Sequence, residues 1–174
     1  MGKVIAITGP TGSGKSSVSL ALAKTIEKCV FIEIDHIKHM IISGFYKNKE
    51  PDGEEAWRYS EWRLVGEAIA LMSKNFADHG FAVVIGGYMH TEGWGELSSN
   101  LKINHKFMLY PAKETIKIRD VERDEKYYMG EETIDEHIDY LSSPAFDDFI
   151  RIDSTEQNVE ETVEQIIELV NRNN

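Results

Sequence analysis

Short apolar runs alternate with longer stretches of helical periodicity along the whole chain. The first run is rich in β-branched side chains, and such short apolar runs are typical of strands buried on both faces. The five runs lie at 3–8, 30–34, 81–85, 106–110 and 149–153. Apolar residues spaced three and four apart predict helices over 16–28, 36–44, 54–79, 112–125, 133–142 and 159–171, and a short helix or irregular turn over 91–100. This alternation predicts an α/β fold of three layers, with a five-stranded parallel sheet between two layers of helices.

A glycine-rich loop connects the first predicted strand to the first predicted helix. Residues 9–16, Gly-Pro-Thr-Gly-Ser-Gly-Lys-Ser, match the phosphate-loop pattern G-x-x-x-x-G-K-[ST]. The glycines let backbone N–H groups converge at the positive end of the helix, where phosphate oxygens bind. The lysine adds a point charge for the β- and γ-phosphates, and the serine hydroxyl after it can ligate Mg²⁺. The alternative, a chance glycine-rich turn, does not account for the strand and helix that flank the motif.

The loop therefore predicts a nucleoside-triphosphate site on a P-loop NTPase fold. The residues expected to hold the nucleotide's phosphates are Gly9, Thr11, Gly12, Ser13, Gly14, Lys15, Ser16 and Ser17. Lys15 is also a candidate catalytic residue, and Ser16 is the candidate Mg²⁺ ligand.

Length and charge narrow the class of protein. The 174 residues contain no repeat or low-complexity linker, so we expect 1–174 to form a single domain. A formal net charge of −11 gives no electrostatic footprint for general nucleic-acid binding. The lone Cys29 excludes an internal disulfide. With no leader and no apolar stretch that could span a membrane, we expect a cytoplasmic protein, as a monomer or a homodimer.

Absent motifs argue against two large classes of phosphate-loop protein. A GTPase needs an N-K-x-D element for base recognition, and the chain has none. A motor or AAA-type ATPase ends its third strand in an acidic residue, whereas here that strand is followed by Gly86 and Gly87. The remaining class that fits is the small phosphotransferases.

Candidate residues for the rest of such a site follow the predicted strands. Asp35 comes after strand two, where its carboxylate can reach an acceptor hydroxyl or a Mg²⁺-bound water, although it could instead cap the next helix. Arg119 and Arg123 share a helix face after strand four and can stabilise a phosphoryl group or pack against adenine. They could also be solvated partners of Asp120 and Glu122 on an exposed face.

The sequence indicates the acceptor-binding residues less clearly than the phosphate-binding ones. Gly86 and Gly87 allow backbone to approach an acceptor closely, or simply allow a turn with positive φ. Arg58 stands among aromatic residues that could bind a planar or anionic acceptor but could equally be core. His90 is a candidate acceptor contact, and the histidines have no spacing typical of a zinc site.

These motifs resemble the small-molecule kinases of the phosphate-loop superfamily, namely shikimate, gluconate and chloramphenicol phosphotransferases, with nucleoside monophosphate kinases more distant. The resemblance implies an ATP–Mg²⁺ donor, a lid at about 124–132 and an acceptor-binding region at about 36–66. It implies that Asp35 is the general base or acceptor anchor and that Arg123 reaches the phosphates. It also implies that Arg119 covers the adenine, beside Ser154 in the closing strand–Asp-Ser–helix segment.

The expected function is transfer of the γ-phosphoryl group of Mg-ATP to a hydroxyl of a sugar acid, metabolite or antibiotic-like molecule. A nucleoside or nucleotide kinase is the enzymatic alternative, and a nucleotide-binding regulatory ATPase without an acceptor is the alternative from another class. A polynucleotide end kinase would need a basic channel, which the net charge disfavours.

Overall fold

A computed structural model describes residues 2–43, 55–122 and 128–172. Five parallel strands form one sheet in the order β2-β3-β1-β4-β5. Their bounds are β1 Val4–Thr8, β2 Cys29–Glu33, β3 Ala82–Gly86, β4 His105–Leu109 and β5 Ile150–Ile152. The predicted five-stranded parallel sheet is confirmed, with every strand end within a residue of its predicted position.

Helices connect the strands and cover both faces of the sheet. They are α1 Lys15–Thr25, α2 Ile34–Lys38, α3 Glu55–Asp78, α4 Thr91–Asn100, α5 Lys113–Val121, α6 Glu131–Leu141 and α7 Val159–Arg172, with a 3₁₀ helix at Pro144–Phe146. The helix predicted over 36–44 is wrong in its bounds, because α2 starts directly at the end of β2 and stops at Lys38. The β-branched pair Ile41-Ile42, followed by Ser43 and a glycine, favours helix poorly and accounts for the early end.

Alternate residues of the central strand face the two halves of the core. Val4 and Ala6 belong to the cluster formed with α3 and α4, whereas Ile5 and Ile7 belong to the cluster formed with α1 and α7. All four side chains are at most 3% exposed. The predicted three-layer arrangement, with helices on both faces, is therefore confirmed.

The strand order places one crevice at the edge where all the strands end. After β1 the chain crosses to β2 and β3 on one side, and it later continues to β4 and β5 on the other. Ligands of open parallel sheets bind at such a switch point, outside the carboxyl ends of the strands. Residues 9–14 follow β1 and therefore lie at this crevice.

Across the residues that the structure describes, no helix combines the length and the apolar character needed to cross a bilayer.

Candidate active site

The glycine-rich loop takes the tight path that its sequence predicts. Gly12 and Gly14 have φ angles of 76° and 88°, a left-handed conformation that side chains rarely adopt. At Gly9 a Cβ atom would lie 2.5 Å from the carbonyl oxygen of Leu109 on the neighbouring strand. At Gly14 the same position has no atom within 4 Å, so there is open space beside the N-terminus of α1. A glycine-rich turn at a helix N-terminus fits a bound phosphate chain.

Polar side chains surround the open turn. Lys15 is the first residue of α1, and its Nζ donates a hydrogen bond of 3.1 Å to the Pro10 carbonyl oxygen, across the loop. Thr11 and Ser13 are buried in the loop, whereas Ser16 and Ser17 are exposed in the first turn of α1. The loop residues predicted to hold phosphates therefore lie together at one helix N-terminus.

The oxygen atoms beside the loop fit a Mg²⁺ ion that is held by few protein ligands. No group of three or more His, Cys, Asp or Glu residues within the described ranges could hold a metal ion by itself. The exposed Ser16 hydroxyl offers one hard oxygen ligand beside the loop. Mg²⁺ commonly binds through few protein ligands while phosphate oxygens and water complete its octahedron.

Asp35 is not the cap of α2. The residue at the cap position is Glu33, which makes no side-chain capping hydrogen bond, and Asp35 lies in the first helical turn. The helix continues directly from β2, so the last residue of that strand, Glu33, also takes the cap position. The Asp35 side chain is half-buried at the carboxyl end of the sheet, and its role as base or acceptor anchor stays a prediction.

Gly86 and Gly87 allow close packing of helices against β3. A Cβ atom at Gly86 would lie 2.5 Å from the Oγ of Ser19 on α1, and one at Gly87 would lie 2.7 Å from the Cβ of Ile34. Of the two glycines, only Gly87 has a positive φ, 145°, and its N–H donates to the Ile7 carbonyl oxygen at 3.1 Å. The need for Gly86 is thus explained by the contact with α1 and not by a turn.

Two residues predicted on the adenine side are brought together. Arg119 donates from Nη2 to the Ser154 carbonyl oxygen at 3.1 Å, which links α5 to the loop after β5. Ser154 is buried, and its Oγ has no hydrogen-bond partner among the described residues. Arg123 and residues 124–127 of the predicted lid lie outside the described residues.

Asp120 is buried, so one alternative that the sequence left open, a solvated partner for the arginines, does not hold for this residue. Only 1% of Asp120 is exposed. Its Oδ2 accepts hydrogen bonds from the backbone N–H groups of Met129 at 3.1 Å and Gly130 at 3.0 Å. Because α6 begins at Glu131, within the predicted lid of 124–132, this carboxylate binds the backbone directly before that helix.

On the acceptor side, His90 belongs to a group of packed rings. We define the ring cluster as Trp62, Tyr88, His90, His137 and Tyr140. The His90 ring lies 5.5 Å from Trp62 and 4.9 Å from Tyr140, between centroids. The cluster joins α3, the segment after β3, and α6. Arg58 lies in α3, but its side chain is outside the described part of the chain.

His137 is the member of the ring cluster whose pKa is influenced by the phosphate-loop lysine. Its ring stacks on Tyr88, with centroids 4.4 Å apart and planes at 16°. Burial, followed by the positive charges of Lys15 and His90, lowers the pKa of His137 to about 4. Its imidazole is therefore neutral at physiological pH, even though it lies near the lysine that is expected to bind phosphate.

Sequence reasoning missed His137 and Tyr140, although the helix period contained a signal. His137 follows the buried Ile134 by three residues and precedes the buried Leu141 by four, which places it on the inward face of α6. A histidine on such a face has to find partners inside the protein.

Comparisons with known proteins agree with this geometry. A family model described as chloramphenicol phosphotransferase-like protein matches residues 2–171. The chain is similar to the tunicamycin resistance protein of Deinococcus radiodurans, with 19% identity, a TM-score of 0.69 and 98% of this chain and 96% of that chain covered. A shikimate kinase from Acinetobacter baumannii in complex with shikimate matches with 15% identity, a TM-score of 0.65 and coverages of 99% and 95%.

A gluconokinase from Sinorhizobium meliloti matches with 18% identity, a TM-score of 0.65 and coverages of 98% and 92%. A search of curated protein sequences returned no match. The structural likenesses establish the fold, which is that of small phosphate-loop kinases.

Proposed function

Because the chain belongs to the chloramphenicol phosphotransferase-like family and is therefore a phosphotransferase, we propose that it transfers the γ-phosphoryl group of Mg-ATP to a hydroxyl group of a small molecule. The observation that carries the proposal is the phosphate loop, with Lys15 bridging it, at the carboxyl edge of the sheet where Asp35 also lies. A small-molecule acceptor and a cytoplasmic location are parts of this proposal.

On the donor side, the loop residues bind and orient the triphosphate. The N–H groups between Gly9 and Ser16 hold phosphate oxygens, and the Lys15 ammonium moves from the Pro10 carbonyl oxygen to the phosphates. Mg²⁺, when bound, supplies charge neutralisation between phosphates, and Ser16 would hold it. Arg119 and Ser154, already in contact, form the side of the site that we assign to adenine.

On the acceptor side, Asp35 orients the hydroxyl and accepts its proton. The bond between the γ-phosphorus and the leaving oxygen of ADP breaks as the bond to the acceptor oxygen forms. In a loose phosphoryl-transfer transition state, positioning contributes more than the strength of the base. A half-buried carboxylate on the rigid start of a helix suits that role.

The experiment is ADP release from Mg-ATP across a panel of hydroxyl-bearing acceptors. The panel contains chloramphenicol, tunicamycin, shikimate, gluconate, simple sugars and nucleosides. Lys15→Ala and Asp35→Asn are run beside Lys74→Ala and Asp78→Asn, which remove an exposed ion pair on α3. We expect one acceptor to accelerate ADP release, both site variants to lose about 100-fold or more, and both controls to stay within about twofold of the unmodified protein.

Two outcomes would contradict the proposal. A flat panel with intact ATP binding, and with ATP turnover insensitive to Asp35→Asn, would favour a regulatory ATPase. Failure to bind ATP would exclude both functions.

A further inference from the structure

Helix α6 brings two ring side chains to the segment where we expect the acceptor. His137 stacks on Tyr88 at 4.4 Å, and one turn later the Tyr140 hydroxyl donates to the Thr91 Oγ1 at 3.1 Å and accepts from the Thr91 N–H at 2.9 Å. Tyr88 and Thr91 flank His90, just after β3. The inward face of α6 therefore packs on the segment that follows β3, at the edge where the strands end.

The imidazole of His137 lies on this inward face of α6. The positive charge of Lys15, the residue that we assign to the phosphates, contributes to the lowered pKa of His137. The Nδ1 atom of His137 is buried and has no hydrogen-bond partner among the described residues. A buried polar atom without a partner is costly and rare, and at a ligand site the ligand is the natural partner.

We propose that His137 is a specificity-determining residue that hydrogen-bonds an uncharged polar group, a hydroxyl or an amide, of the phosphoryl acceptor. This inference rests on the proposed function. The inference adds to that function a residue on α6 and a chemical class of acceptor.

The aromatic rings around His137 and its neutral imidazole suit an uncharged polar group. Trp62, Tyr88 and Tyr140 carry no charge, and a neutral imidazole offers one donor and one acceptor, which matches a hydroxyl or an amide.

The test uses two substitutions at His137 and a matched control. His137→Phe keeps a ring that can stack on Tyr88 but removes both nitrogens, and His137→Gln restores an amide that can donate and accept. His79→Gln, at the exposed end of α3, is the control. For acceptors from the panel we measure kcat/KM, together with the KM for ATP, and we add methyl shikimate beside shikimate and glucose beside gluconate to compare uncharged and anionic forms.

We expect His137→Phe to lower kcat/KM for the acceptor about tenfold, the effect of one lost hydrogen bond to a substrate. His137→Gln should recover part of this loss, the KM for ATP should stay within about twofold, and His79→Gln should behave like the unmodified protein. In imidazole ¹H–¹⁵N spectra, the acceptor should shift the His137 signal, identified by its loss in His137→Phe, and leave the His79 signal in place.

Several results would overturn the inference while the kinase assignment stands. One is an unchanged kcat/KM in His137→Phe, and another is an equal change in the KM for ATP and for the acceptor. A third is a preference for shikimate over methyl shikimate and for gluconate over glucose. An inactive panel with the unmodified protein would instead overturn the proposed function, and the inference with it.

Discussion

At the scale of single residues, the pKa of His137 predicts a pH dependence of stability that needs no ligand. The pKa is about 4 in the folded protein and 6.5 in a free side chain. Between those values the unfolded chain binds a proton that the folded protein does not, so the free energy of unfolding falls as the pH is lowered from 6.5 towards 4. We expect the unmodified protein to lose about 1–2 kcal/mol more than His137→Phe between about pH 7 and pH 4.5, after allowance for partial solvent screening.

Urea unfolding of both proteins at the two pH values measures this difference. Carboxylates that protonate in the same range affect both proteins alike, so the comparison isolates the imidazole. Equal losses in the two proteins would show that His137 is charged, or solvated, in the folded state.

The residues of the site divide by how they could be recognised in the sequence. Lys15 and Ser16 lie in a motif whose fixed spacing reflects one backbone geometry, so the sequence alone located them. Asp120 and His137 belong to no motif, and their importance comes from burial. Asp120 follows the buried Ile116 by four residues, so it faces inwards, but helical periodicity cannot show that the backbone of 129 and 130 supplies its partners.

At the scale of elements, Asp120 holds α5 and α6 together. Its buried carboxylate accepts two backbone hydrogen bonds just before α6, while the pairs Lys113–Asp135 and Lys117–Glu131 join the same helices at the surface. Removing a buried acceptor leaves both N–H groups unpaired, whereas exposed ion pairs contribute little. We expect Asp120→Ala to lower the free energy of unfolding by about 2–4 kcal/mol and Asp135→Asn by less than about 1 kcal/mol.

Urea unfolding of the two variants and of Asp120→Asn measures the contribution of the carboxylate. The amide of Asp120→Asn keeps one oxygen acceptor, so its loss should be intermediate. A loss for Asp120→Ala no larger than that for Asp135→Asn would mean that the two helices are held by other contacts.

Strands were easier to predict than the contacts between elements. A buried parallel strand is marked by a short apolar run bounded by polar or glycine residues, so the ends of β1 to β5 were predicted within a residue. The packing of α1 on β3 was not predicted, because the contact between Ser19 and Gly86 joins positions far apart in sequence. The bounds of α2 were wrong because its start depends on the end of β2 and not on a capping residue.

At the scale of the whole molecule, the phosphate loop is attached to the strand that both halves of the core share. β1 lies at the centre of the sheet, with Ala6 in the cluster of α3 and α4 and Ile7 in the cluster of α1 and α7. Local opening of either layer would therefore disturb the strand that positions the loop. That 1–174 is a single domain stays a prediction, and from the shared strand we expect it to unfold as one cooperative unit.

Nucleotide binding should then stabilise both layers equally. Trp62 and Trp94 report by fluorescence on the layer of α3 and α4, and far-ultraviolet circular dichroism reports on the helices of both layers. With a non-hydrolysable ATP analogue and Mg²⁺ at about 100 times the Kd, both signals should shift together by about 2.7 kcal/mol in urea unfolding. Lys15→Ala should abolish the shift, and Lys74→Ala should keep it. Two separate transitions, or a shift in one signal alone, would contradict the single cooperative unit, because a ligand bound to a loop on the shared strand cannot stabilise one layer without the other.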